Sequence, residues 1–597
     1  MTLWKTLEQR ELIDAADRHL ASHITALDDN APPDLGPLAA LASAQIRAGN
    51  ICLPLDENPL LETLGLNPDP DALKKSPLVG EPGEQGRPLV LDQGRLYLAR
   101  YHAWEQQVLR ALRRLLSAEP PALDEAALKA RLAEQFPDSR GEGVDWQRVA
   151  VALAVTRRFC IISGGPGTGK TWTLARILEQ LRAQPGGDSA RIALAAPTGK
   201  AAARMTEAIR EANPDLLTDL DEAKTLHRLL GMRPGRVRPR HGPDNPLPFD
   251  QIIIDEVSMV DLPMMARLMA ALPNHARLIL LGDRHQLASV EAGQIMADLC
   301  GDGGETYSPE TAERIRQLTG DAPPAADAPQ PVMADHLIIL RHSRRFDPHC
   351  GIGALARAVN AGDSNATLQT LRGGQPQVYW RAADPATLNQ LLQEQIVPVF
   401  QSIRETSDPA QALRGLNRLR VLCALRDGPQ GVANLNALIE RALGVDNRRL
   451  YHGQPIMVTV NDYAQQLFNG DIGLILRDPQ GRLRAWFPDG DNTARPILPA
   501  RLPAHETVYA MTIHKSQGSE FQEVILVLPE QDSPVVTREL FYTGLTRARE
   551  SVVVCASEGA VRDALSRRTQ RVSGLYRALW GEGLERVWNH VGEVRPE

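Results

Sequence analysis

The sequence predicts an α/β protein built mainly of parallel sheet covered by helices. A mainly helical segment precedes that body, and a small β-barrel is inserted late in the chain. Three observations predict this. Four apolar runs, FCIISG (159–164), RIALAAP (191–197), QIIIDE (251–256) and ARLILLGD (276–283), alternate with helical stretches, and strands separated by helices pair in parallel. A glycine-rich loop joins the first run to a helix. Towards the C-terminus, FQEVILVLP (521–529) and ESVVVCAS (550–557) return to buried-strand character.

Length sets the scale: 597 residues correspond to about four domains at roughly 150 residues each. Apolar residues at 43% and charged residues at 23% are ordinary for a globular chain and exclude collagen-like or disordered classes. No apolar run approaches the roughly 20 residues that cross a bilayer. The start, MTLWKTLEQRELIDAADRHL, has no apolar signal core, so a cytoplasmic protein with no membrane contact is expected. The net charge of −7 rules out a chain that is basic overall but leaves room for a local basic channel. The six cysteines are scattered without metal-ligand spacing, which predicts buried, reduced thiols.

Along the chain, Met1 to Leu27 carries Leu3, Leu7, Leu12, Ile13 and Leu20 near helical spacing and reads as one helix. LGPLAALASAQIRAG reads as a second helix, ended by Gly49. Two alternating runs around Asp92-Gln93-Gly94 predict a hairpin, and HAWEQQVLRALRRLLS returns to helix. The break at Ala118-Glu119-Pro120-Pro121 places a boundary there, giving an accessory or docking domain over 1–118. A first α/β lobe is expected over 119–330, ended by the linker GDAPPAADAPQPVMAD (320–335), and a second over 331–597. In the second, LIIL (337–340) and a helical region to about residue 445 precede the barrel at about 450–505. Its turns are Asn469-Gly470 and Pro488-Asp489-Gly490.

The loop Gly164-Gly165-Pro166-Gly167-Thr168-Gly169-Lys170-Thr171 fits GxxxxGK[ST] between strand and helix. Glycines let the backbone curl so that several N–H groups face one anion, and the helix N-terminus adds positive potential. Lys170 then reaches the β- and γ-phosphates while Thr171 offers a hydroxyl to Mg²⁺. Three isoleucines lead into Asp255-Glu256, which delivers two carboxylates at a strand end. Asp255 would hold Mg²⁺, and Glu256 would orient or deprotonate the attacking water. The implied chemistry is hydrolysis of a nucleoside triphosphate.

Further segments follow in a fixed order: APTGKAA (196–202), TLHRLL (225–230), DEVSMVD (255–261), GDRHQL (282–287), SRRF (343–346), TIHKSQG (512–518) and YTGLTRA (542–548). They resemble motif Ia, the motif that follows it, and motifs II to VI of superfamily 1 DNA helicases. Over residues 147–549 the chain resembles the RecD family, the alpha subunits of RecBCD-type exodeoxyribonuclease V complexes. The resemblance implies two RecA-like P-loop lobes with ATP between them and an SH3-like character for the small barrel. Lobe one would supply Gly167, Gly169, Lys170, Thr171, Asp255, Glu256 and Gln286, with Gln147 reading adenine. Lobe two would supply Arg345, chosen over Arg344, and Arg547 to the γ-phosphate.

The same resemblance puts single-stranded DNA across Thr198, Lys200, Thr225 and His227 of lobe one. On lobe two it points to Thr512, His514 and Ser516, with Asn461 and Asn469 in the insertion. Two bland roles compete: Thr198 can cap the helix starting at Gly199, and His227 can be a core histidine. The basic stretch MRPGRVRPRH (232–241) reads equally as a solvated loop or a DNA- or partner-contacting excursion. The expected partners are RecB-like and RecC-like subunits in a heterotrimer and DNA ends, with 5′ to 3′ movement and any nuclease activity residing in a partner. Stand-alone RecD-like helicases carry a longer N-terminal extension, which is not expected here. The competing readings are such a stand-alone helicase, or a P-loop switch that does not translocate.

Overall fold

The computed structural model describes residues 3–137 and 143–581, apart from 219, 234, 237, 302, 344, 347, 348, 350, 463, 491, 492 and 570. Arg344, Cys350 and parts of the basic stretch at 232–241 therefore lie outside the described residues. Two parallel sheets dominate. The first has six strands in the order Leu337–Leu340, Phe159–Gly164, Arg277–Gly282, Gln251–Ile254, Ile192–Ala196 and Lys224–Thr225. All neighbouring pairs are parallel. The second orders Val378–Arg381, Ala548–Cys555, Phe521–Val527, Leu419–Cys423 and Ala510–Thr512, again all parallel. Strands buried on both faces need continuous apolar runs rather than alternation, and Phe159, Ile161, Ile253, Ile279, Leu281 and Leu526 are all fully enclosed.

Four expectations about the elements change. The N-terminal helix is two helices, Leu3–Gln9 and Ala15–Thr25, because Asp14 and Asp17 form a reciprocal capping box that starts a new helix. Residues 53–98 contribute a four-stranded sheet beside the helices, including the hairpin across Gln93 and Gly94, both at positive φ. The region before residue 445 is not wholly helical: it contains the strand Val378–Arg381 and the strand Leu419–Cys423, which lies between two neighbours in its sheet. The segment 320–335 does not join the lobes. It folds back on the first one, with Tyr307 bonded to Pro324 and Ala326, and LIIL then becomes an edge strand of that lobe's own sheet.

The boundaries at 118 and 331 are accordingly displaced. Helix Ala99–Leu116 places Val108, Leu112 and Leu115 in one apolar cluster with Leu268 and Leu280 of the first lobe. Leu575 and Leu579 of the helix Leu575–Trp580 join the same cluster, so the chain returns to lobe one after completing lobe two. Hydrogen bonds hold this strap: Asn50 accepts from Val572 N–H (2.7 Å), Glu105 from Gly574 N–H (2.8 Å) and Asp298 from the Ser573 hydroxyl (2.7 Å).

Between the two ends of lobe two, residues 454–507 form an antiparallel five-stranded sheet in the order Ala494–Ile497, Leu483–Pro488, Ile472–Arg477, Gln454–Val458 and His505–Thr507. Among the described residues, five cysteines are free and buried, and no helix is long and apolar enough to cross a membrane.

Because Leu112 is fully buried against lobe-one residues, Leu112→Ala is expected to cost about 2–5 kcal/mol. Differential scanning fluorimetry should show the loss in the same melting transition that ATP stabilises, not in a separate N-terminal one.

Candidate nucleotide cleft and nucleic-acid track

The carboxyl ends of the lobe-one strands face lobe two across a cleft of about 630 Å³. The strand Phe159–Gly164 ends in the glycine loop, and Gly167 (φ 77°) and Gly169 (φ 81°) adopt the left-handed turn that opens helix Lys170–Ala183. Side chains lie hard against the loop. A Cβ on Gly167 would come within 2.4 Å of Arg345, and one on Gly169 within 2.3 Å of Gln147. Gln147 donates its amide N–H to the Thr168 carbonyl (2.9 Å), so it braces the loop. The Thr168 hydroxyl closes the loop on the Gly165 carbonyl (2.8 Å), and the Ser343 hydroxyl donates to Pro166 O. Lys170 Nζ donates to the carbonyls of Gly164 (2.6 Å) and Gly165 (3.3 Å).

Asp255 stands at the end of strand Gln251–Ile254 and accepts from the Glu256 N–H at 2.8 Å. Burial pushes its carboxyl up to about 6, the Glu256 charge adds to that, and Lys170 opposes it. Glu256 itself sits at φ 55°, an uncommon conformation for a side-chain-bearing residue of the kind that gathers at functional sites. Gln286 is buried, donates to Asp283 Oδ2 (3.3 Å), and its amide oxygen has no partner among the described residues.

The opposite wall carries cations. Arg547 is enclosed, with its guanidinium bonded to Thr543 O (3.2 Å) and Ser519 O (3.2 Å). Glu520 binds Arg345 (2.9 Å), Arg549 (2.9 Å) and Arg204 (3.1 Å). Burial alone would raise the Glu520 carboxyl, but the arginine charges win and hold it well below the usual carboxylate range. Arg345 is not a lobe-two residue as expected. It follows the lobe-one edge strand by five positions, before helix Gly351–Ala361 enters lobe two, because the strand before it pairs with the P-loop strand. Every residue expected at the nucleotide lies at or beside this cleft. Sequence reading missed Arg204, Glu520 and Arg549: Glu520 and Arg204 are 316 residues apart, and nothing local marks the pairing.

The nucleic-acid candidates divide. Thr198 accepts from Ala201 N–H (3.2 Å) and Thr225 from Arg228 N–H (3.2 Å), so both cap helices. Lys200 does not point to an open track. It reaches lobe two to donate to the Ser519 hydroxyl (2.7 Å), and burial, followed by Arg204 and Arg420, lowers its pKa to about 7. Ser516 is fully buried and donates to Ile513 O (2.6 Å), which removes it as a contact. A TIHKS run closes into a 3₁₀ turn, and the turn faces that hydroxyl inward. His227 is exposed rather than a core histidine. Thr512 and His514 are half-buried, and Asn461 and Asn469 are exposed, with Asn469 N–H bonded to Asn461 (2.8 Å). Phe468, beside Asn469, packs over Gly199 (3.4 Å to a Cβ built there). That places one aromatic ring on the boundary between motif Ia and the insertion.

A P-loop facing arginines across a cleft between two parallel-sheet lobes defines an ATP-driven motor of the helicase class. The comparisons with known proteins agree. The model described as "AAA domain" matches residues 147–292, "UvrD-like helicase C-terminal domain" matches 507–555, and "RecBCD enzyme subunit RecD, N-terminal domain" matches 9–97. The RecBCD enzyme subunit RecD of Mycolicibacterium smegmatis is 40% identical, covering 96% of this chain and 99% of that protein. The subunit of the same name from Haemophilus influenzae is 36% identical over 84% and 82% of the two chains. The ATP-dependent RecD2 DNA helicase of Deinococcus radiodurans is 28% identical over 93% of this chain and 70% of that protein. A solved structure of Pif1 helicase from Bacteroides with ADP-AlF3 and single-stranded DNA aligns over 73% of this chain and 94% of that chain, at 18% identity and a TM-score of 0.37. The chain belongs to the RecD family of RecBCD enzyme subunits and is an ATP-dependent DNA helicase.

The position of Asp255 gives a test with a definite sign. A carboxyl whose folded pKa, about 6, exceeds the ordinary 3.8 stabilises the fold only while protonated, and that contribution is lost as pH rises through about 6. Without nucleotide, Asp255→Asn should therefore stabilise the protein above pH 6 by about 3 kcal/mol. The gain should vanish towards pH 4, in denaturation curves measured across that window.

Proposed function

We propose that this chain is the 5′ to 3′ motor subunit of a RecBCD-type helicase–nuclease, assembled with RecB-like and RecC-like subunits in the cytoplasm and acting at DNA ends. The observation that carries the reading is the placement of Arg547 and Arg549 of lobe two in one cleft with Lys170, with Arg345 of the crossing segment beside the loop. Similarity supports the subunit reading over a stand-alone helicase: 40% identity to a RecD subunit against 28% to the RecD2 helicase.

In this reading Gly164 to Thr171 cradle the triphosphate, Lys170 neutralises it, and Gln147 contacts the base. Thr171 and Asp255 hold Mg²⁺, a cation that keeps most of its waters and needs only one or two carboxylates. The raised Asp255 carboxyl beside Glu256 suits a site that gains by meeting a cation. When bound, the ion supplies charge neutralisation at the phosphate oxygens. Glu256 and Gln286 orient the attacking water, and Arg345 and Arg547 stabilise the charge that develops on the γ-phosphoryl group.

Hydrolysis weakens the bridge between the lobes, which part and close again with each turnover. DNA runs over Thr198, Thr225 and His227 on one lobe and Thr512, His514, Asn461 and Asn469 on the other. Residues 454–507 act as an SH3-like barrel against the strand, and the mainly helical N-terminal segment docks a partner. The interlobe bonds of Lys200 and Arg204 favour this motor over a switch that does not translocate, because they tie the helix that begins in motif Ia to residues 518–520 at the end of motif V.

Single-stranded DNA should stimulate ATP hydrolysis by the complex, and substrates with a 5′ overhang should be unwound in preference to those with a 3′ overhang. Arg547→Lys should lower kcat by about a thousandfold or more while fluorescent-nucleotide binding stays within a few-fold. Unstimulated turnover would favour the switch, and full unwinding by the isolated chain would favour a stand-alone helicase.

A further inference from the structure

Motif VI contributes a group that no role described above uses. Helix Arg538–Leu545 of lobe two directs Tyr542 across the interface, where its hydroxyl donates to Asp283 Oδ2 at 3.0 Å. The same carboxylate oxygen accepts from Gln286 Nε2 (3.3 Å), and the other oxygen accepts from the His285 N–H (3.0 Å). Asp283, Gln286 and Tyr542 are 1%, 6% and 4% exposed, so water does not compete for these bonds. Two neighbouring contacts hold the same loop to lobe two: Leu287 N–H donates to the hydroxyl of Thr543 in that helix (3.0 Å), and the Leu287 carbonyl accepts from Gln517 (3.0 Å).

The phenol also reaches the nucleotide loop, since a Cβ on Gly165 would lie 2.7 Å from the Tyr542 hydroxyl. That glycine leaves the space the hydroxyl occupies. Burial, with the Asp283 charge adding to it, holds the phenol well above its ordinary pKa, so it stays a donor at all working pH values.

We infer that Tyr542 is a positioning residue for ATP hydrolysis. Its bond to Asp283 anchors the carboxylate that holds the Gln286 amide nitrogen, and thereby fixes this side chain on the cleft wall, with its buried amide oxygen unpartnered among the described residues. The anchor comes from lobe two while the glutamine belongs to lobe one, so the glutamine is aligned only when the lobes are closed. Tyr542 carries no proton to the substrate and touches none of the reacting atoms. It transmits closure to the residue that orients water.

The inference rests on the ATPase reading above, and one assay separates the two. Wild-type DNA-stimulated turnover by the full-length chain with its partner subunits reports on that reading. Tyr542→Phe, which keeps the ring and removes the hydroxyl, reports on the inference. Its kcat should fall about tenfold, the loss expected of one hydrogen bond to a charged acceptor, with KM for ATP within twofold of wild type. Asp283→Asn, which weakens the same hub, should split kcat from KM in the same way. The double variant Tyr542→Phe/Gln286→Ala should turn over no more slowly than Gln286→Ala alone, because both changes break one chain of contacts. An unchanged kcat, a loss confined to KM, or losses that multiply in the double variant would overturn it.

Discussion

Glu520 gathers Arg204, Arg345 and Arg549 at the cleft edge, and the arrangement of the nucleotide site depends on that cluster. Arg204 and Arg345 are partly buried and Arg549 is exposed, and three like charges converging on a nucleotide pocket would repel one another. A carboxylate held ionised among them satisfies them together. It also joins three parts of the chain: a helix of lobe one, the crossing segment after the edge strand, and the motif VI strand of lobe two. Arg547, two residues before Arg549, immediately precedes the same strand.

The Asp255 carboxyl on the lobe-one side is set by the opposite balance. It is enclosed beside Glu256, and burial and like charge outweigh Lys170 and Arg204 and raise its pKa. The cleft thus has a wall whose acids are poised to accept positive charge and a wall whose bases are already matched. A nucleotide bound in the cleft would compete for the arginines, and binding of a small molecule can in this way bias the separation of two domains.

The strap formed by residues 571–580 adds a mechanical constraint. Because it returns from lobe two to pack with helix Ala99–Leu116 and the lobe-one core, the lobes are connected at two places rather than one. Relative motion must preserve both connections, which suits a limited hinge better than wide separation. Asn50 and Glu105 of the N-terminal region hold this strap, so the accessory segment is joined to the motor itself.

The glycine loop, the Asp255-Glu256 pair, the central strands of the first sheet and the strands Phe521–Val527 and Ala548–Cys555 of the second were legible in the sequence, whereas the buried strand Leu419–Cys423 was not. Each legible element is encoded within a few adjacent residues, where backbone conformation, strand burial and phosphate chemistry restrict the choice of amino acid. The elements that depend on distant partners were not. LIIL reads equally well as a strand of either lobe until its pairing with Phe159–Gly164 assigns it to the first. Ser516 and Lys200 look like available polar groups until a tight turn and an opposing lobe enclose them. Local chemistry therefore determined that this protein binds and hydrolyses a nucleotide, whereas the tertiary fold decided which charges meet across the cleft. Those meetings join residues hundreds of positions apart, and only packing, not sequence proximity, brings them within bonding distance.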